Sequence, residues 1–242
     1  MPYPFFYGFD WTYLFLVIPS IILALWASSS VNRTFQRYAK QASARGITGA
    51  QAAQRVLNGN GVSGVQIEKV SGNLTDHYDP RSNVIRLSSS VYDSTSIAAI
   101  GVACHEAGHA VQHAENYGPI RIRTAIIPIT NFGSKLAMPL ILLGVILSSF
   151  ADYSYTLVYA GILCFSLSLL FQLVTLPVEF NASRRALQAI SDHDLLSNEE
   201  LKGARKTLTA AALTYVAAVA VSLAQLLRLI LLFGGGNRRR ND

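Results

Sequence analysis

The sequence predicts a mainly α-helical membrane protein, with four transmembrane helices and a small α+β element that carries a metal-binding helix. Three observations point there. Hydrophobic residues make up 51% of the 242-residue chain and charged residues only 14%, where a soluble domain carries about 25% charged residues. The apolar residues are clumped into runs with no polar face. Between the first two runs lies a more polar stretch that contains His105-Glu106-Ala107-Gly108-His109.

A helix needs about 20 mostly apolar residues to cross a bilayer. Phe9 to Ala27 contains one charge, Asp10. Leu136 to Phe150 has none but is short, so the second span draws on Ile126 to Lys135 and lies near 130–150. Tyr155 to Val178 has no charge and suffices alone, and Leu208 to Phe233 is interrupted only by Gln225 and Arg228. Buried helices of a soluble protein would show water a polar side, and these runs have none. The N-terminus lacks a basic region and a small-residue cleavage pattern, so it reads as an uncleaved span. The chain is expected to be one membrane domain, 1–242.

Lys and Arg near span ends set orientation. The first nine residues have none; Arg33, Arg37, Lys40 and Arg45 follow the first span, and Arg184, Arg185, Lys202, Arg205 and Lys206 follow the third. The link around Asp152 has none. These agree on an outside N-terminus, with the loop 28–124 and the metal motif on the cytoplasmic side of the cell membrane. The tail Arg238-Arg239-Arg240 points the other way. The net charge of +6 is then charge at the lipid surface. Basic residues are not interleaved with aromatics on a nucleic-acid module, so no nucleic-acid partner is expected. Two cysteines, Cys104 and Cys164, form no disulfide framework.

Within the loop, Ser43 to Asn58 reads as a helix, with Thr48 and Gln51 as a capping box and Asn58-Gly59-Asn60-Gly61 as a stop. Val65 to Val70 alternates as a strand does. Ser71-Gly72-Asn73 is turn chemistry, and Thr75 to Asn83 is polar. Val84 to Ser88 reads as a second strand. Asp93-Ser94-Thr95 offers N-caps for a helix over 95–116, which Gly118-Pro119 ends.

That helix holds the chemistry. His105 and His109 lie one turn apart on one face, about 6 Å along the axis, so both imidazoles can reach one ion. Zinc suits imidazole and carboxylate and keeps an open position in catalytic sites. Glu106 can reach a zinc-activated water as general base. His113 lies about 12 Å from His105 along the axis and cannot join it on one ion. The third ligand is open between readings. Glu179 closes the third span, where a carboxylate is costly unless paired or metal-bound. It is either the ligand or an interfacial residue paired with Arg184 or Arg185. His193, between Asp192 and Asp194, is a weak alternative. His77, Tyr78, Arg184 and Arg185 are candidates to stabilise an oxyanion.

Three blocks, Thr75-Asp76-His77-Tyr78-Asp79-Pro80-Arg81, His105 to Ala110, and Leu176-Pro177-Val178-Glu179-Phe180-Asn181-Ala182-Ser183-Arg184-Arg185-Ala186-Leu187, resemble the YugP-like bacterial membrane zinc metallopeptidases in order and spacing. That family is similar in plan to the gluzincin membrane proteases, among them the HtpX heat-shock protease and the CAAX-prenyl endopeptidase. The resemblance implies Zn2+, Glu179 as third ligand, and an edge strand near the metal helix that holds substrate backbone. It departs at Ser183, where those relatives carry an Asp that orients a ligand His; Ser183 or Asn181 takes that place here.

The expected function is zinc-dependent hydrolysis of peptide bonds in peptides or membrane proteins, with His105, His109 and Glu179 on the metal, Glu106 as base and His77 assisting. Two rivals remain. One is a zinc-binding membrane adaptor with a closed four-ligand site. The other is a site-2-type intramembrane protease, which the polar residues flanking the motif disfavour.

Overall fold

The computed structural model describes residues 10–148 and 154–234. The link around Asp152, the first nine residues and the arginine tail lie outside the described residues.

A π-helical turn, Tyr13–Val17, leads into α1, Ile18–Ala39. Then follow α2, Gly49–Gly59; the strands β1, Gln66–Val70, β2, His77–Asp79 and β3, Val84–Ser88; α3, Ser89–Tyr92; α4, Ile97–Ala114; α5, Gly118–Leu147; α6, Ser154–Asp192; and α7, Asn198–Phe233. The chain is thus mainly helical with one small mixed sheet, as the sequence predicts. Four helices are long and apolar enough to cross a membrane: Tyr13–Ala39, α5, α6 and α7. Each runs beyond its apolar stretch because nothing stops it there. Pro128 and Pro139 lie inside α5 and Pro177 inside α6 without ending either. Gly118-Pro119 follows α4 but also opens α5, a suitable place for a proline without a free N–H.

The chain divides into two compact units. The first holds the described residues up to Trp26, with Ile122–Thr175 and those from Tyr215 on. Its helices turn large apolar side chains outward, Phe15, Phe132, Leu163 and Ile146 among them, as lipid-facing helices must. Helix contact inside this unit uses small residues, which let backbones close up where lipid offers no competing polarity. A Cβ on Gly144 would lie 2.8 Å from the Ser154 carbonyl, and one on Gly161 2.8 Å from that of Ala137. Several polar groups are paired: Ser134 with Ser168 at 2.6 Å, Gln172 with Ser222 at 2.8 Å, and Arg228 with Asp10 at 2.6 Å.

The second unit is Ala27–Arg121 with Leu176–Thr214. Its core gathers Val56, Leu57, Ile85, Leu87, Ile100 and Ile190 around α4. Thr48 and Gln51 form the expected capping box, at 3.2 and 3.0 Å. α2 nonetheless starts at Gly49 rather than Ser43, because Gly46 takes φ +63° and the segment bridges Ala42 to Ser96 instead. The cap of α4 is Ser96, whose hydroxyl accepts from the Ala99 N–H at 3.2 Å. The helix therefore covers 97–114 rather than 95–116.

The sheet order is β1-β3-β2, with β1 parallel and β2 antiparallel to β3. β3, apolar at Val84, Ile85 and Leu87, is central and mostly buried, which its sequence supports. β2 lies in a stretch that looks like polar loop. Three residues are too few to show alternation, and the strand is held by its turn: the Asp79 carboxylate accepts from the Arg81 N–H at 3.0 Å, Ser82 at 2.7 Å and Arg86 at 3.2 Å, and Asn83 adopts φ 56°.

These bonds, from Ser82 first, hold the Asp79 carboxyl down at about 2. A lowered folded-state pKa stabilises above the ordinary aspartate value, and the stabilisation is lost as pH falls through the folded value. Asp79→Asn should lower hydrogen-exchange protection across 77–88 at neutral pH. The difference from wild type should close between about pH 4 and pH 2. Equal protection at neutral pH would remove Asp79 from the turn's support.

Candidate metal centre

α4 and α6 make the site, and both lie in the second unit there. α4 presents His105 and His109 on one face, with ring centroids 4.7 Å apart and planes at 85°. α6 brings Glu179 opposite. Its Oε2 lies 3.3 Å from His105 Nε2 and 3.5 Å from His109 Nε2. One ligand atom from each of the three lies within 4.8 Å of the other two, the only such group among the described residues.

The donors fit zinc. With metal–ligand distances of about 2.0–2.2 Å, two neighbouring corners of a tetrahedron are about 3.3 Å apart. The observed separations match that edge, and the donor set is two imidazoles and one carboxylate. Such a set leaves a fourth corner. Glu179 and His109 are buried at 3% and 8% exposure, where a carboxylate facing two imidazoles needs a shared cation or proton. Burial alone would push the His109 imidazolium down, but contact with Glu179 and the charge of Glu106 more than offset it, so its pKa is raised. The site attracts positive charge.

The close approach of the two helices has a local cause. Gly108 packs on the α6 backbone, where a Cβ would stand 2.9 Å from the Ala182 carbonyl oxygen. Glycine in mid-helix costs up to about 1 kcal/mol against alanine, and here it lets Glu179 reach both histidines.

Outer contacts fix which imidazole nitrogen faces inward. His105 Nδ1 is 3.1 Å from Ser183 Oγ. His109 Nδ1 is 3.0 Å from Gln112 Oε1. With Nδ1 donating, each Nε2 keeps its lone pair toward Glu179 and the ion position. Gln112 is fully buried and donates through Nε2 to the Val178 carbonyl and to Asn181 Oδ1, both at 2.9 Å. Asn181 Oδ1 also accepts from Arg185 Nε at 2.7 Å, and Arg185 pairs with Glu115 at 2.7 Å. The chain of contacts runs from His109 to the surface.

The expected residues separate accordingly. His105, His109, Glu179, Asn181 and Ser183 converge. Glu106 is buried at 8% exposure, and its carboxylate has no hydrogen bond or ion pair among the described residues. Glu179 faces the histidines, while Arg185 is engaged by Glu115 and Asn181. His77 is exposed, its Nδ1 on the Thr75 carbonyl at 2.8 Å. The Tyr78 hydroxyl donates to Asn83, and its ring lies 5.5 Å from that of His113. Arg184 is exposed and lines a separate groove. His193 stands against Gly59 and is outside the metal group. Burial pushes the Cys104 thiol far up, so it is no ligand.

Gln112 was not foreseen. A lone glutamine on an apolar helix gives no motif. Its place three residues after His109, on the same face, was the available signal.

Gln112→Leu keeps the volume and removes the acceptor for His109. Chelator competition on the purified protein should show zinc affinity lower by about 10–100-fold, and unchanged affinity would deny Gln112 its part. Gly108→Ala should lower stability by about 1–3 kcal/mol through overpacking on Ala182.

A family model described as "Putative neutral zinc metallopeptidase" matches residues 13–234. The chain is 48% identical over 224 residues to "Putative membrane protease YugP" of Bacillus subtilis (strain 168), covering 93% of this chain and 97% of that protein. No solved structure matches the chain. A match across nearly the whole chain, through both site helices, places the protein in the family of neutral zinc metallopeptidases that the model describes.

Proposed function

We propose that the protein is a zinc-dependent membrane endopeptidase of gluzincin type, with its site on the cytoplasmic face. The observation that carries this reading is the His105, His109 and Glu179 cluster with a buried Glu106 one residue from the first imidazole, in no hydrogen bond or ion pair among the described residues. A structural metal site, closed by its own ligands, has no use for a further carboxylate beside them.

His105, His109 and Glu179 hold the ion, and Ser183 and Gln112 orient the two imidazoles. Zinc, when bound, polarises the scissile carbonyl and lowers the pKa of a water. Glu106 takes a proton from the attacking water and returns it to the leaving amine as the C–N bond breaks. β2 and β3 pack against α4, and β2 keeps one unpaired edge among the described residues. That edge suits an extended peptide added as a further strand. His77 on β2, its Nδ1 already engaged by Thr75, has Nε2 left to donate to the oxyanion.

The adaptor reading requires a fourth protein ligand, and no further residue joins the group among the described residues. The intramembrane reading requires the motif helix to span, and α4 is not among the four long apolar helices.

Glu106→Gln should keep stoichiometric zinc and lose about 10²–10⁴-fold in peptide hydrolysis. Wild-type cleavage by a zinc-loaded Glu106→Gln protein would contradict the mechanism.

A further inference from the structure

We propose that the groove between α6 and α7 in the second unit binds the phosphate of an anionic phospholipid, held by Arg184 and Arg205. This inference stands apart from the metal reading.

The groove encloses about 650 Å³ and is lined by Phe180, Arg184, Leu187, Leu201, Arg205 and Thr209, with Ser183 and polar residues of the α6 end completing it. Neither Arg184 nor Arg205 has an ion pair or hydrogen bond among the described residues. The contrast is with neighbouring Arg185, whose guanidinium is engaged by Glu115, Asn181 and the Tyr117 ring. Two unengaged guanidiniums facing one groove make an anion site, since each offers a planar fork of donors that matches phosphate oxygens. Phe180 is 45% exposed, and with Leu187 and Leu201 it gives the groove an apolar wall. An anion with an attached apolar body fits both features.

Position along the helices selects a lipid. Arg184 lies six residues beyond Val178, where the apolar run of α6 ends, and Arg205 three residues before Leu208, where that of α7 begins. At 1.5 Å per residue these are heights of ~9 and ~5 Å above the hydrocarbon edge. The headgroup layer is about 5–8 Å thick on each side. The Arg205 backbone therefore lies at the inner edge of that layer and the Arg184 backbone just above it, so their long side chains bring both guanidiniums to the depth of lipid phosphates. Asp192, the acidic residue lining the groove, is the last residue of α6 and lies beyond that layer, about 21 Å from Val178.

The test uses the full chain in mixed micelles of phosphatidylcholine and phosphatidylglycerol, with retained lipid read by native mass spectrometry. The wild type should retain phosphatidylglycerol preferentially. That preference should fall about thirtyfold in R184Q/R205Q and about fivefold in each single variant, and be kept only in part in R184K/R205K, which has the charge without the fork. Melting temperature separates loss of binding from loss of fold; if the double variant unfolds, the two single variants decide. Equal retention in wild type and folded glutamine variants would overturn the proposal.

Discussion

The contact between the Glu179 carboxylate and the imidazoles of His105 and His109 governs the second unit. Three groups that each prefer water are gathered where little water reaches. Such a cluster is unfavourable unless something cationic joins it, and it forms only because α4 and α6 approach at Gly108 and Ala182. The helix that supplies Glu179 is continuous with a span. The polar site is thus carried by a chain whose composition is otherwise that of a membrane protein.

The supports around the cluster follow from that demand. Each imidazole has one nitrogen engaged outside, so the other is directed inward by hydrogen bonding rather than left to rotate. Ser183 serves His105 from α6, and Gln112 serves His109 from α4 itself. Gln112 is held in turn by Val178 and Asn181, so α6 supplies the carboxylate that faces the histidines, the brace of His105 and the support for the brace of His109. A short block of α6, from Val178 to Arg185, therefore determines most of the site. This explains physically why a Ser can stand where related plans carry Asp: the orienting work is divided between two polar side chains.

Much of the site and fold is legible in the chain. Long uncharged runs identify four helices because no soluble arrangement hides all faces. The spacing of His105 and His109 fixes a shared face, and the capping box at Thr48 and buried β3 follow from local chemistry. What escapes has local causes too. β2 is too short for periodicity and depends on the side-chain bonds of Asp79. The start of α2 depends on Gly46 in a left-handed conformation. Helix ends past the apolar runs cannot be placed, since Pro128, Pro139 and Pro177 are absorbed within helices. Gln112 gains its role only when α6 folds over it. Glu179 could be named as a ligand only through resemblance; on spacing alone it competes with an ion pair to a neighbouring arginine.

X-ray absorption at the zinc edge of the metal-loaded protein tests the central claim most directly. The account predicts four light-atom neighbours at about 2.0–2.2 Å, two of them imidazole nitrogens, one carboxylate oxygen and one exchangeable water. Loss of the carboxylate oxygen in Glu179→Ala should be visible in the same spectrum. A third imidazole, a sulfur neighbour, or an unchanged spectrum in Glu179→Ala would contradict the assignment of His105, His109 and Glu179 as the metal centre.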